Sequence, residues 1–166
     1  MTARERSGTM GVEIERKFLV RDDGWRAEAV GEGTFIRQGY VETGEGVTVR
    51  VRVAGETGFL TVKGPSAGFA RSEFEYRIPV EDAGEMLDTL CGGRVLEKRR
   101  WRVPAGEGGL AWEVDEYSGA LAPLATAEIE LPEKKTAFRR PAWLGEEVSG
   151  VASYRNCELA KAAGGA

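Results

Sequence analysis

The feature that most constrains the fold of this chain is an alternation of charged and apolar residues that recurs along most of its length. In V-E-I-E-R-K-F-L-V, residues 12–20, Glu13, Glu15 and Lys17 occupy every second position. A period of two residues is typical of a β-strand with one apolar and one polar face. Glycine-containing turns separate the runs and favour antiparallel hairpins. The predicted strands are Val12–Val20, Thr34–Val41, Gly46–Val53, Gly58–Lys63, Ala70–Val80, Arg94–Val103, Leu110–Tyr117 and Ala125–Leu131.

Only a few segments have helical spacing. Glu81–Leu90 carries apolar residues three and four positions apart and is followed by Gly92-Gly93, which is typical of a helix end. Shorter helices are predicted at Glu133–Arg139 and around Tyr154–Ala162. The sequence therefore predicts a mainly β (α+β) fold, with an eight-stranded antiparallel sheet closed as a barrel, or a sandwich, and a few flanking helices.

Length and composition set further limits. The 166 residues suit one domain, predicted at residues 12–162 after a flexible N-terminal arm of residues 1–11. There is no run of about 18 apolar residues and no apolar signal-peptide centre in the first ten residues, so we expect a cytoplasmic protein without a membrane span. A net charge of −4 argues against a nucleic-acid partner. Cys91 and Cys157 are predicted to be free thiols.

The chain contains no histidine. This excludes the Ser-His-Asp triad, the Cys-His pair and every histidine metal site. Any catalysis must use carboxylates, lysine, arginine, tyrosine or a metal ion held by oxygen atoms.

The charged positions have a further pattern, because same-sign pairs recur two residues apart. Such side chains lie only about 7 Å apart on one face, and like charges repel at that distance unless an opposite charge lies between them. A single strand of this kind usually has a solvated face. All of them together predict an inward-facing charged lumen with an acidic wall and a basic wall. The acidic pairs are Glu13/Glu15, Glu73/Glu75, Glu113/Asp115 and Glu128/Glu130, and the basic residues are Arg50/Arg52, Lys63 and Lys98/Arg100.

A lumen of this composition is stable when a ligand bridges its walls. Guanidinium groups match pairs of phosphate oxygens, and lysine adds a point charge. Clustered carboxylates without histidine or cysteine favour Mg²⁺ or Mn²⁺ over zinc. A divalent metal with a polyphosphate satisfies both walls.

These residues resemble those of the CYTH proteins, the triphosphate tunnel metalloenzymes. E-I-E-R-K at residues 13–17 matches the ExExK signature of that family. The resemblance covers about residues 12–160 and includes a tail similar to that of the short bacterial members, W-L-G-E-E-V followed by Y-R-N. The motifs that carry it between signature and tail are R-V-R at 50–52, T-V-K at 61–63, E-F-E at 73–75, E-K-R-R at 97–100, E-V-D at 113–115 and E-I-E at 128–130.

The resemblance implies an eight-stranded antiparallel tunnel that binds a triphosphate with divalent metal, expected as two ions of Mg²⁺ or Mn²⁺. Tyr40 is expected either to aid the leaving group or to be a packed barrel residue. Arg155 stands where a lysine often follows the tyrosine, and a phosphate contact near a tunnel mouth is expected of it. The implied phosphate ligands are Lys17, Arg50, Arg52, Lys63, Lys98 and Arg100. The implied ligands of metal or attacking water are Glu13, Glu15, Glu75, Asp115, Glu128 and Glu130.

The resulting hypothesis is a metal-dependent phosphohydrolase of a small linear triphosphate, most simply inorganic triphosphate, with in-line attack by water. Glu13, Lys17 and Tyr40 are the predicted catalytic residues. Two alternatives within the family stay open, a class IV-type adenylate cyclase and a thiamine triphosphatase. A non-catalytic polyphosphate- or nucleotide-binding module is the alternative of another class. An exposed apolar strand face would also be compatible with a homodimer.

Overall fold

The computed structural model describes residues 14–44, 46–65, 72–106 and 108–165 of the protein. In these residues nine strands form one sheet, accompanied by two α-helices. The strands are β1 Ile14–Val20, β2 Val30–Val41, β3 Thr48–Ala54, β4 Thr57–Lys63, β5 Glu73–Ile78, β6 Val95–Pro104, β7 Ala111–Tyr117, β8 Ala125–Leu131 and β9 Leu144–Glu147. The α-helices are α1 Val80–Thr89 and α2 Asn156–Gly164, and short 3₁₀ helices cover Asp23–Ala27, Gly119–Leu121 and Ala152–Tyr154. The predicted arm at residues 1–11 lies outside the described residues.

The strand order is β5-β4-β3-β2-β6-β7-β8-β1-β9, and all neighbours pair antiparallel. The predicted antiparallel, mainly β fold is confirmed, and the eight predicted strands correspond to β1 to β8. The ninth strand was not predicted. Within the described residues the strand pairing runs from β5 to β9 without joining these two ends, so backbone hydrogen bonds do not close the predicted barrel. One physical reason is that β9 occupies the second edge of β1, opposite Phe18 and Val20.

Helix α1 covers the outer face of β2, β3 and β4. Val51 is buried there with Ala83, Leu87 and Cys91. Gly39 of β2 lies directly beneath the helix end, where an added Cβ would lie 2.8 Å from the Cys91 Sγ. The close approach of helix and sheet therefore requires glycine at this position. The helix predicted at Glu81–Leu90 is confirmed within one residue at each end, and Cys91 and Cys157 are free thiols.

Aromatic side chains cover the other half of the outer face. Phe18 and Trp112 pack edge to face with ring centroids 5.6 Å apart, and Phe138 packs on Trp112 at 5.5 Å. The helix predicted at Glu133–Arg139 is wrong, because this segment makes a turn and then continues without regular secondary structure. The backbone N–H of Thr136 donates to the Glu133 carbonyl at 3.0 Å, and the chain beyond it brings Phe138 onto the cluster. Burial of this ring outweighs the weak helical spacing of the segment.

Helix α2 covers one end of the inner face. Leu159 and Ala160 are buried against Leu96 and Tyr117, which belong to β6 and β7. The Tyr117 hydroxyl donates to the side-chain carbonyl of Asn156 at 3.0 Å, which ties the start of α2 to the sheet. The C-terminal helix predicted around Tyr154–Ala162 is confirmed, although the structure divides it into a 3₁₀ turn and α2. In the described part of the chain, neither helix has the length and apolar character that a membrane span requires.

The carboxylate of Glu147 on β9 binds Arg16 on β1 and so connects the two strands. The Arg16 Nε donates to Glu147 Oε1 at 2.7 Å, and the Ser149 hydroxyl donates to the same oxygen at 2.8 Å. These hydrogen bonds, chiefly that from Arg16, lower the pKa of Glu147 from 4.5 to about 2. Because the folded-state pKa is depressed, the stabilisation is complete above pH 4.5 and is lost as the pH falls toward 2.

We therefore expect Glu147→Gln to lower the free energy of unfolding by about 0.5–1 kcal/mol at pH 7, the range for a partly exposed ion pair. The difference between wild type and variant should shrink as the pH falls below 4.5. Urea unfolding at a series of pH values measures it. A difference of constant size across that series would show that the ionised carboxylate does not fasten β9.

Candidate active site

The strand register brings the predicted charged residues onto one face of the sheet. Lys17 of β1 lies opposite Glu128 of β8, and Glu128 lies opposite Glu113 of β7. Arg100 of β6 lies opposite Asp115 of β7. Directly opposed residues of antiparallel strands share a face. The charged positions that alternate along separate segments of sequence are therefore neighbours on the inner face.

A cavity of about 270 Å³ opens on this face beside α2. Its wall includes residues from β1 and β8 near one end of the strand order and from β3 and β4 near the other. The sheet must curl for these strands to meet, which gives the tunnel-like shape predicted from sequence. The lining residues are Glu15, Lys17, Tyr40, Thr48, Arg50, Lys63, Glu128, Val148, Ser149, Val151, Tyr154, Arg155, Asn156 and Cys157.

The most deeply buried charges are Lys98 and Asp115, whose side chains are 1% and 0% exposed. The Lys98 Nζ lies 2.5 Å from Asp115 Oδ2, and the Arg100 Nε donates to Asp115 Oδ1 at 2.7 Å. Burial alone would raise the pKa of Asp115, but the charges and hydrogen bonds of Lys98 and Arg100 outweigh it and hold that pKa below its usual value. Burial also lowers the pKa of Lys98. This ion pair is fixed inside the sheet and holds Arg100 in place.

Arg100 links the buried pair to the cavity. Its Nη1 binds Glu113, and its Nη2 lies 3.3 Å from Glu128 Oε2. The Lys17 Nζ lies 2.8 Å from the other oxygen of Glu128, and its side chain is only 9% exposed. Cations and carboxylates thus pair directly on this part of the face. The sheet order nevertheless keeps the acidic strands β7, β8 and β1 together and places the basic strands β4 and β3 close to β6, so the predicted acidic and basic walls are present and Arg100 pairs with Asp115 where they meet.

Glu15 differs from the other carboxylates of the cavity. In the described part of the chain it has no ion-pair partner within 4 Å, although solvent reaches it from the cavity. Although its side chain is exposed on the cavity side, the loss of hydration between the surrounding walls, followed by repulsion from Glu128, raises its pKa from 4.5 to about 7. Lys17 opposes this shift. A carboxylate whose negative charge is disfavoured in this way is a suitable ligand for an added cation.

A second charged cluster lies on β3, β4 and β5. The Arg50 Nη2 donates to Glu75 Oε2 at 3.2 Å, and the Arg52 Nη2 lies 3.4 Å from the same oxygen. The buried Thr61 hydroxyl donates to Glu75 Oε2 at 2.8 Å. Burial would raise the pKa of Glu75, but the Thr61 hydrogen bond and the two arginines lower it. Glu75 therefore contacts the arginines rather than the carboxylates of β1 and β8.

Two donors of this second cluster point to a missing acceptor. The Nε atoms of Arg50 and Arg52 are buried and have no hydrogen-bond partner. Unpaired buried donors are rare and costly. Lys63, at the end of β4, lies 2.8 Å from Glu73 and also lines the cavity.

Tyr40 and Arg155 complete the predicted set in the cavity. The Gln38 Nε2 donates to the Tyr40 hydroxyl oxygen at 3.0 Å. Burial raises the pKa of Tyr40 to about 12. The phenol is therefore protonated at neutral pH, and its O–H can donate to an anion in the cavity. Arg155 lies between the 3₁₀ turn and α2 and lines the same cavity.

The remaining predicted residues bear on the metal. Glu130 is exposed and lies opposite Glu15 across β1 and β8. Glu13 lies outside the described residues. Within the described residues, no three His, Cys, Asp or Glu side chains form a group that could hold a metal ion. A metal held by Glu13, Glu15, Glu75, Asp115, Glu128 and Glu130 stays a prediction.

The structure also places residues in the site that sequence reasoning missed. Thr61 lies between Arg50 and Glu75, and its position in the T-V-K motif was a usable signal. Ser149 accepts from the backbone N–H of Lys17 at 3.0 Å. It follows β9, which carried no strand signal in sequence. Asn156 belongs to the Y-R-N motif, and its contact with Tyr117 depends on the packing of α2.

The geometry can be compared with known proteins. The family model described as CYTH domain matches residues 11–163. The chain belongs to the CYTH family. The match spans the described strands and helices, so the charged inner face is that of a CYTH domain.

Two relatives of this CYTH domain are named inorganic triphosphatase. The protein of Acetivibrio thermocellus is 45% identical over 152 residues, which are 92% of this chain and 95% of that protein. The protein of Nitrosomonas europaea is 39% identical over 153 residues, which are 89% and 96% of the two chains. A crystal structure of an inorganic triphosphatase matches with a TM-score of 0.68 and 34% identity, over 92% of this chain and 97% of that one.

Proposed function

We propose that this CYTH protein is an inorganic triphosphatase, which hydrolyses a terminal phosphoanhydride bond of inorganic triphosphate. The observation that carries the proposal is the cavity into which four cations project from strands near both ends of the sheet and from the C-terminal segment. These cations are Lys17, Arg50, Lys63 and Arg155. A volume of about 270 Å³ suits a small ligand. The two named relatives, similar over most of their length, support the same substrate.

The cations of the cavity would exchange protein carboxylates for phosphate oxygens. Lys17 is held by Glu128, and Arg50 is held by Glu75. Each cation is already held in one position by its carboxylate, so a phosphate replaces one acceptor with another without having to order the side chain. Arg52 does not line the cavity but shares Glu75 with Arg50.

A divalent cation, Mg²⁺ or Mn²⁺, would be held by carboxylates of β1 and β8, with two ions expected. The donor set fits a hard cation, since it consists of oxygen atoms and the chain has no histidine. The raised pKa of Glu15 has the repulsion of Glu128 among its causes, which a cation would relieve. Glu15, Glu128 and Glu130 would therefore be its ligands, with Glu13 as a further one. When bound, such an ion neutralises charge on the phosphate oxygens.

Different residues of the chain would act on the attacking water, the leaving group and the phosphate oxygens. A water oxygen attacks the terminal phosphorus in line, the bridging P–O bond breaks, and its electron pair stays on the departing pyrophosphate. The proton of the water passes to a carboxylate of the β1–β8 group. Tyr40, whose hydroxyl is protonated, donates to the departing oxygen. Lys17 and Arg50 stabilise negative charge as it shifts toward pyrophosphate.

The family resemblance implies that Asp115 and Glu75 bind metal. Their contacts support a different role for both. Asp115 accepts from both Lys98 and Arg100, and Glu75 accepts from both Arg50 and Arg52. Both carboxylates would orient cations that contact phosphate.

A substrate panel tests the proposal against its alternatives within the family. Inorganic triphosphate, ATP and thiamine triphosphate are incubated separately with the full chain and Mg²⁺ or Mn²⁺, and phosphate, pyrophosphate and cyclic AMP are measured. We expect the highest kcat/KM for inorganic triphosphate and no cyclic AMP. Cyclic AMP from ATP, or preferential cleavage of thiamine triphosphate, would favour those activities instead. Tight binding of triphosphate without turnover would favour a binding module.

A further inference from the structure

We propose that β5 is an interface strand, whose open edge pairs antiparallel with β5 of a second copy of this chain about a twofold axis at Tyr76. The inference does not rest on the proposed function. It assigns a partner, and the register in which that partner binds, to one edge of the sheet.

Strand β5 lies at the end of the sheet order, and within the described residues β4 is the one strand that pairs with it. All residues from Glu73 to Arg77 are exposed. An open edge of this kind invites pairing with another chain, and proteins usually protect it with lysine, proline or a bulge. Residues 73–78, E-F-E-Y-R-I, contain no lysine and no proline, and their pairing with β4 is regular. The edge is therefore suited to pairing.

The peptide groups of every second residue point to the open edge. The Gly64 N–H donates to the Ser72 carbonyl at 2.9 Å, and these two residues continue the register between β4 and β5. Because bonded and non-bonded pairs alternate in an antiparallel ladder, the even-numbered residues of β5 bond to β4. The backbone N–H and C=O groups of Glu73, Glu75 and Arg77 therefore point away from β4, toward a further strand.

Charge selects the register for a second copy. In a twofold pairing centred on Tyr76, Glu75 of each chain lies opposite Arg77 of the other. A pairing centred on Glu75, or on Arg77, would set identical charges opposite each other. A pairing centred on Phe74 would set Glu73 opposite Glu75, and these also repel. In the part of the chain that the structure describes, Arg77 forms no ion pair, so its charge is available to the second copy.

The outer face of β5 favours the same register. Phe74 and Tyr76 are 48% and 46% exposed. Further along this face, Ile78 packs in the cluster beneath helix α1. In the pairing centred on Tyr76, the two Tyr76 rings lie side by side and Phe74 lies opposite Ile78 of the second copy. Aromatic and β-branched pairs across strands stabilise a sheet, so the second copy would cover the exposed rings.

Glu75 has an oxygen atom available for the arginine of the second copy. Its Oε2 accepts from Thr61 and Arg50, whereas its Oε1 has one contact among the described residues, with the Arg52 Nη2 at 3.5 Å. The Glu75 side chain is 37% exposed. The guanidinium of Arg77 from the second copy would therefore meet a carboxylate that is already held in place.

The interface is small, because five residues of each chain pair, from Phe74 to Ile78. Its area lies at the low end of specific interfaces. We therefore expect a reversible dimer with a Kd on the order of 10 µM.

Sedimentation of the full chain at about 1 to 200 µM measures this equilibrium. We expect Arg77→Glu, which sets two pairs of like charges opposite each other, to raise the Kd at least about tenfold. Arg77→Lys keeps the charge and should stay within about threefold of wild type. Arg139→Glu is the matched control, because it makes the same change of net charge at an exposed arginine that binds Glu28. Its Kd should equal that of wild type.

A cross-link tests the register itself. Residue 76 would face its own copy in a non-bonded pair, where the Cα atoms lie about 4.5 Å apart, within the range of a disulfide. The two copies of residue 74 would lie about 13 Å apart, four residues along the strand. Mild oxidation should therefore link Tyr76→Cys into covalent dimers on a non-reducing gel. Phe74→Cys and wild type, treated in the same way, should remain unlinked.

Several results would overturn the proposal. Wild type that stays monomeric up to about 200 µM would do so, since another segment or another protein would then cover the edge. An unchanged Kd in Arg77→Glu, or an equal rise in Arg139→Glu, would contradict the pairing of Arg77 with Glu75. A covalent dimer that forms as readily in Phe74→Cys as in Tyr76→Cys would contradict the register.

Discussion

Replacing Lys17 by alanine is expected to reduce kcat/KM for inorganic triphosphate by on the order of 10³. Lys17 projects from β1 into the cavity, and its Nζ lies 2.8 Å from Glu128 in a site that excludes most solvent. A cation held in such a place stabilises charge on a phosphate without reorganisation. Its loss would also leave Glu128 with Arg100 as its remaining partner and add negative charge beside Glu15. Initial rates of phosphate release over a range of triphosphate concentrations measure the effect.

Arg16→Ala is the matched control for this prediction. Arg16 is the neighbour of Lys17 on the same strand, but it binds Glu147 on the outer face. Its removal should lower the stability and leave kcat/KM within a factor of about two. The reason is that a surface ion pair makes a small contribution to stability, and this one does not touch the cavity. If Arg16→Ala and Lys17→Ala lose activity equally, the claim that Lys17 faces the active site while Arg16 faces the outer surface is contradicted. Near wild-type activity in Lys17→Ala would remove Lys17 from the site.

The largest expected effect on stability is that of Asp115→Ala. Asp115 is completely buried and accepts from Lys98 and Arg100. Without it, the ammonium group of Lys98 is a buried charge with no partner among the contacts described. Breaking a buried pair in this way costs about 3–5 kcal/mol. We expect this loss in the free energy of unfolding from urea titration at pH 7.

A double variant separates the loss of the pair from the loss of packing. Lys98→Met with Asp115→Asn removes both charges while keeping the volume and an acceptor for Arg100. Because neither charge then remains buried alone, its loss of stability should be clearly smaller than that of Asp115→Ala. If the double variant is as unstable as Asp115→Ala, the loss of unfolding free energy in Asp115→Ala comes from packing and not from an unpaired buried charge. Loss of less than about 1 kcal/mol in Asp115→Ala itself would contradict the burial of the pair.

Much of the fold could be predicted from the sequence, because its signal is local. Alternation along Val12–Val20 and the seven later runs identified β1 to β8, since the period of two is set by the geometry of a strand. The same period also predicts which face of the sheet a side chain occupies, and Lys17, Arg50 and Glu128, which it places on one face, line the same cavity. Tyr40 and Arg155 came from the family motif rather than from periodicity, and they lie in the same cavity.

The parts that could not be predicted depend on distant contacts. Strand β9 is four residues long, and its pairing with Phe18 decides its conformation. The segment around Phe138 is not helical because its ring packs, partly buried, against the aromatic cluster. The pairing of Glu75 with Arg50 depends on which strands are adjacent in the sheet.

The most direct test of the central claim, that the charged inner face is the active site of a triphosphatase, is phosphate release from inorganic triphosphate by the purified chain. We predict that one phosphate and one pyrophosphate form per triphosphate in Mg²⁺ or Mn²⁺, and that EDTA stops the reaction. No phosphate release above the protein-free control with either metal, from pH 6 to pH 10, would contradict the account.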